Sequence, residues 1–115
     1  MNNLNLIKER YLKEPFNRQL GHLASDLARI ASFLENSMNK KAVEGILEES
    51  KFFIEWTAPD APSHIQAFLS EIQCRLALYH HHFLVQKEDV AEIKSLKKNA
   101  KGWSVKLMEL SGLLA

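Results

Sequence analysis

Glycine and proline are scarce in this sequence, four and three in 115 residues, about half of the roughly 12% that average usage gives. A turn-rich β-sandwich or barrel needs more of both. Valine and threonine are scarce as well: four Val and one Thr stand against 17 Leu, a balance that favours helix over sheet. Cysteine occurs once, as Cys74, which excludes an intrachain disulfide. A chain of this size with 46% hydrophobic residues does not need one, so a reducing, cytoplasmic setting is expected. No apolar run approaches the roughly 20 residues of a membrane span. At the N-terminus, charges arrive at Lys8, Glu9 and Arg10 before any stretch long enough for a signal peptide. The net charge of +1 gives no overall field that would draw the molecule to nucleic acid.

What is present fits one all-α domain over residues 1–115, with residues 1–14 as an N-terminal helical extension. Leu4, Leu6, Ile7, Tyr11 and Leu12 predict a short helix over about 3–13, broken by Glu14-Pro15. Behind Pro15, apolar residues at Phe16, Leu20, Leu23, Leu27, Ile30 and Leu34 recur every three or four positions, predicting a helix over 15–36. A second long helix follows over 39–57, with Val43, Ile46, Leu47, Phe53 and Ile54 inward. Pro59 and Pro62 then force a stiff turn. Ser63 with Gln66, and Asp89 with Glu92, have capping-box spacing and open helices over 63–86 and 89–112. The first of these carries Ile65, Leu69, Ile72, Leu76, Tyr79 and Phe83 on one face. The second carries Ile93, Leu96, Ala100, Trp103, Leu107, Leu110 and Leu114. Short connections make neighbouring helices antiparallel, so the expected architecture is an up-down-up-down four-helix bundle with a short additional N-terminal helix. Charge is uneven along it: residues 1–41 carry +3, residues 42–73 carry −5, and residues 74–115 carry +3.

Four strings on these helices carry a resemblance: Glu9-Arg10-Tyr11-Leu12, Leu20-Gly21-His22-Leu23-Ala24-Ser25, the run Glu48 to Pro59, and Trp103 to Leu114. The chain resembles small, uncharacterised all-helical proteins of cyanobacteria. The resemblance implies a cytosolic bacterial setting, and it carries over no activity and no functional residue.

His80-His81-His82 is the most conspicuous string, but successive helical residues point about 100° apart and cannot converge on one ion. His80 is expected at the core edge beside Tyr79, and His82 in water. Cys74 and His81 share a face about 10 Å apart along the axis, too far for one zinc ion. The Glu-x-x-His pair of di-iron bundles does not occur. No metal and no cofactor is therefore expected. A nucleophile elbow and a phosphate-cradling glycine loop are also missing, so no catalytic residue is assigned.

Arg75 followed by His80 is similar to the Arg-x4-His motif of HEPN-family ribonucleases, dimeric helical bundles whose Arg and His act on RNA phosphodiesters. The residue after the arginine, commonly polar there, is Leu76 here, and the two side chains diverge by about 140° on a helical wheel. An HEPN-like RNA-binding or RNA-cleaving protein using Arg75 and His80 is the alternative reading. Lys94, Lys97, Lys98, Lys101 and Lys106 form a basic strip, which reads as a solvated face because no exposed aromatics accompany it.

The leading expectation rests on apolar surface that a four-helix core does not need. Ala67, Cys74, Leu78, His81 and Val85 form a second stripe opposite the core face of the 63–86 helix. Either the N-terminal segment, through Leu4, Ile7 and Tyr11, or a second molecule is expected to cover it. Phe52 and Trp56, four apart, point away from Val43 and Leu47, either folded over the bundle edge or meeting a partner. Gly21, Ser25, Ala28 and Ser32 are small enough for close helix approach but ordinary on a surface, and are read as exposed. The sequence thus predicts a non-catalytic, homodimeric interaction module that binds a protein partner through Phe52, Trp56, Cys74, Leu78, His81 and Val85. Neither nucleic acid nor a membrane is expected as a partner.

Overall fold

Prolines and the Asp89 cap divide the chain where the sequence predicts. The computed structural model describes residues 2–36, 39–85 and 89–113. It contains α1 (Asn2–Lys13), α2 (Phe16–Asn36), α3 (Lys40–Thr57), a 3-10 turn (Ala58–Asp60), α4 (Ser63–Leu84) and α5 (Val90–Ser111), with no strand among the described residues. Pro15, which has no N–H to offer a helix, closes α1; its carbonyl accepts from the N–H groups of Arg18 and Gln19 at 2.9 and 3.0 Å and so opens α2. Asn39 caps α3 by accepting the Ala42 N–H at 3.1 Å, and Asp89 caps α5 by accepting the Glu92 N–H at 2.8 Å. α5 ends at Gly112, whose φ of 73° suits a residue without Cβ.

The predicted capping box at Ser63 does not form. Pro62 occupies the cap position, and its carbonyl takes the N–H groups of Ile65 and Gln66 at 3.0 and 2.9 Å. The Gln66 amide is drawn instead to the 3-10 turn, donating to the Ala58 carbonyl at 2.8 Å. The predicted end of α4 at residue 86 and the position of Leu114 lie outside the described residues.

Side-chain pairs mark the seams between the long helices. Gln19 meets Thr57 and Asp26 lies by Glu49 between α2 and α3. Gln73 donates to the Lys51 carbonyl and Lys40 sits over the Phe83 ring between α3 and α4. Ser104 meets Ala24 and Lys101 meets Glu35 between α5 and α2. The stripe centres Leu27, Ile46, Leu76 and Trp103 are 0, 7, 0 and 8% exposed, in the register the periodicity predicts.

The seams differ in quality. α2 packs most extensively against α5 and next against α3, whereas α4 and α5 meet sparsely. Small residues make the α2–α5 approach possible: Ala24, Ala31 and Ala100 are buried there, and the Ser104 hydroxyl donates to the Ala24 carbonyl at 2.7 Å. Gly21, read from sequence as exposed, is buried at the end of this seam, where a Cβ would lie 2.8 Å from Leu113 Cδ1. Ser25, Ala28 and Ser32 do reach the surface and line shallow grooves beside α5.

α1 docks chiefly on α3. Tyr11 anchors it, stacking on Phe53 with ring centroids 4.1 Å apart and planes 12° from parallel. The Tyr11 hydroxyl donates to the Gln19 carbonyl at 3.0 Å and meets the Thr57 hydroxyl at 2.5 Å. Burial raises the phenol well above its ordinary pKa.

Candidate functional site

α4 carries a row of apolar residues on the side away from the core. Ala67, Cys74, Leu78, His81 and Val85 all face solvent, Leu78 being 56% and Val85 43% exposed. The stripe predicted to be covered is thus left open by the described residues, and α1, one of its two candidate covers, lies on α3 instead. The physical reason is Tyr11: its ring finds a stacking partner in Phe53 and its hydroxyl finds Gln19 and Thr57, none of which α4 could supply.

Phe52 and Trp56 belong to a different surface. Both are half-buried on α3 and stack with centroids 5.6 Å apart. Trp56 also lies 5.8 Å from the Tyr11 ring, and Phe52 borders a cleft with Asn3, Leu4 and Ile7 of α1. The six residues predicted as one interface therefore divide: four on the open face of α4, two beneath α1.

The three consecutive histidines point in three directions. His80 is buried and turned to α3, where its Nδ1 and the Lys51 Nζ are 3.0 Å apart. Burial, then the Lys51 charge, hold its pKa below the ordinary value, so the neutral ring accepts from the ammonium. His81 faces solvent. His82, predicted to face water, is half-buried instead and binds the Glu92 carboxylate through Nδ1. Glu92 is the third residue of α5, and its side chain goes to His82 across the seam.

Arg75 is exposed on the α5 side of α4, so it does not meet His80, which faces α3. Arg75 shares a cleft of about 270 Å³ with Leu78, Tyr79 and His82 of α4 and Glu92 and Ser95 of α5. Tyr79 and Glu92 were read from the sequence only as a core residue and a capping residue, and Ser95 and the adjoining Asn99 were not singled out. The available signal was the seven-residue spacing of Arg75 and His82, which sets both on one helix face.

Of the lysine strip, Lys97 is half-buried and Lys101 pairs with Glu35 at 3.4 Å, while Lys94, Lys98 and Lys106 are exposed. Among the described residues, no three His, Cys, Asp or Glu side chains group closely enough to hold a metal ion. No helix among them is long and apolar enough to cross a membrane. The chain matches no protein-family model, and no curated protein or solved structure is similar to it.

Proposed function

We propose that the protein is a non-catalytic interaction module: an up-down-up-down four-helix bundle with an added N-terminal helix, which pairs with a second copy of itself through the outer face of α4. The observation that carries this reading is the uncovered row on that face, with Leu78 and Val85 about half exposed and no element among the described residues over them. Leaving such side chains in water forgoes about 1.5 to 3 kcal/mol for each that could be fully buried.

The row also fits itself. With exposed Glu71 of the same helix face added, positions 67, 71, 74, 78, 81 and 85 are spaced 4, 3, 4, 3, 4, a sequence that reads the same in both directions. Two such rows related by a two-fold axis and run antiparallel bring Ala67 against Val85, Cys74 against Leu78, and Glu71 against His81. Small residues then meet larger ones, and an acid meets an imidazole, which is the self-complementarity an isologous dimer requires. The exposed Cys74 thiol within the row favours a reducing, cytoplasmic setting.

This pairing has a direct test. Leu78→Cys places a new thiol opposite the partner's Cys74, so mild oxidation yields a covalent dimer that a reductant reverses, whereas Val105→Cys, exposed on α5, does not crosslink. A Leu78→Cys protein that stays monomeric under oxidation, or crosslinks no faster than Val105→Cys, contradicts the reading.

A further inference from the structure

The α4–α5 seam is held by polar side chains, and the cleft it leaves is rich in hydrogen-bond donors. Tyr79 Oη and Ser95 Oγ are 2.8 Å apart, and the Asn99 amide donates to them at 3.1 and 3.4 Å. Two hydroxyl protons serve one bond between these oxygens while the amide adds only donors, so one hydroxyl proton is left to serve a ligand. Arg75 lines the same cleft with five N–H donors and makes no hydrogen bond or ion pair with any described residue. His82 has its Nδ1 occupied by Glu92, leaving Nε2 as its remaining nitrogen. Among the described residues that line the cleft, the one carboxylate, Glu92, is therefore already engaged by His82.

A guanidinium, a spare hydroxyl donor and an oriented imidazole make an anion site, and the planar guanidinium fork matches two oxygens of a phosphate group. Phosphate monoesters lose their second proton at a pKa of about 6. The monoanion can donate its proton to Nε2, and the dianion can accept from an imidazolium, so either protonation state finds a partner at His82. Beside Arg75, exposed Leu78 and the Tyr79 ring give the cleft an apolar wall that a bare phosphate ion leaves uncovered.

We propose that the α4–α5 cleft binds a phosphate monoester of a small apolar alcohol, with Arg75, the Tyr79–Ser95 hydroxyl pair and His82 on the phosphate and Leu78 beside the organic group. The phosphate partners lie within one chain and outside the α4 row, whereas Leu78 belongs to both, so pairing of the rows and binding of the organic group compete for its side chain. Calorimetric titration of the full chain with phenyl phosphate, inorganic phosphate and phenol tests it. Phenyl phosphate is expected to bind in the millimolar range, inorganic phosphate more weakly by about fivefold for the lost apolar contact, and phenol not measurably. Arg75→Ala should weaken phenyl phosphate by about tenfold or more and Ser95→Ala by about fivefold, while Lys94→Ala leaves it unchanged. Absence of phenyl phosphate binding at millimolar concentration, or affinity that survives Arg75→Ala, overturns the site. Inorganic phosphate binding as tightly as phenyl phosphate overturns the ester assignment.

Discussion

The two seams of α5 are built on opposite principles. Against α2 it lays small residues, Ala100 and Ser104 opposite Ala24 and Ala31, so that the backbones approach. Against α4 it lays Glu92, Ser95 and Asn99, which reach His82 and Tyr79 by hydrogen bonds while a cleft stays open. The first seam is made for stability, since burial of apolar surface scales with contact area. The second leaves donors and the edge of an apolar row accessible, and both proposed binding surfaces involve α4. A helix buried along one face and furnished with apolar or polar groups on the other has more sequence than its fold requires.

The comparison can be broken most severely in the core beneath both seams. Leu27→Ala and Leu76→Ala should each cost about 2 to 5 kcal/mol, through lost transfer energy and a cavity, read as a lower denaturation midpoint. An unchanged midpoint in either would refute the helix register.

A second effect comes from Asp26, buried where α2 meets α3. Burial first, and then the Glu49 carboxyl, push its pKa up to about 8, with Arg29 only partly opposing them. An unfolded aspartate ionises near pH 3.9. Between those values the native state holds a proton that the unfolded state has lost, so stability falls as pH rises from about 4 to about 8. Asp26→Asn should flatten that decline and raise the melting temperature above pH 8. Parallel pH profiles for wild type and variant would show that Asp26 is ionised in the fold.

Smaller effects separate the two seams. Ala24→Leu forces side-chain atoms into the close α2–α5 approach and should cost about 1 to 3 kcal/mol. Tyr79→Phe removes a hydroxyl from the looser seam and should cost only about 0.5 to 1.5 kcal/mol. Reversal of that order in chemical denaturation would mean that the polar seam, and not the small-residue seam, holds α5 in place.

Much of this was legible in the sequence because it is local. Pro15, Pro59 and Pro62 limit helices through their own geometry, and Asp89 caps a helix through an atom three residues away. Leucine spacing alone placed Leu27 and Leu76 in the core. What was not legible depends on which helix meets which. Gly21 looked like a surface residue because its partner, Leu113, is distant in sequence. Gln66 fitted a capping box until the turn carbonyls of Ala58 and Pro59 competed for its amide. His82 looked solvated because nothing in the sequence says that Glu92 will face it. α1 was free to choose between α3 and α4, and a stacking partner for Tyr11, which no periodicity reveals, decided it.

The most direct test of the central claim, that α4 carries a self-complementary face, is the sedimentation-equilibrium mass of wild type and Leu78→Glu over the same concentration range. Pairing of the α4 rows predicts a wild-type mass of twice the 13.2 kDa chain, and a Leu78→Glu protein that stays folded at the single-chain mass. A wild type that remains at the single-chain mass throughout, or a Leu78→Glu variant that still doubles it, contradicts the account.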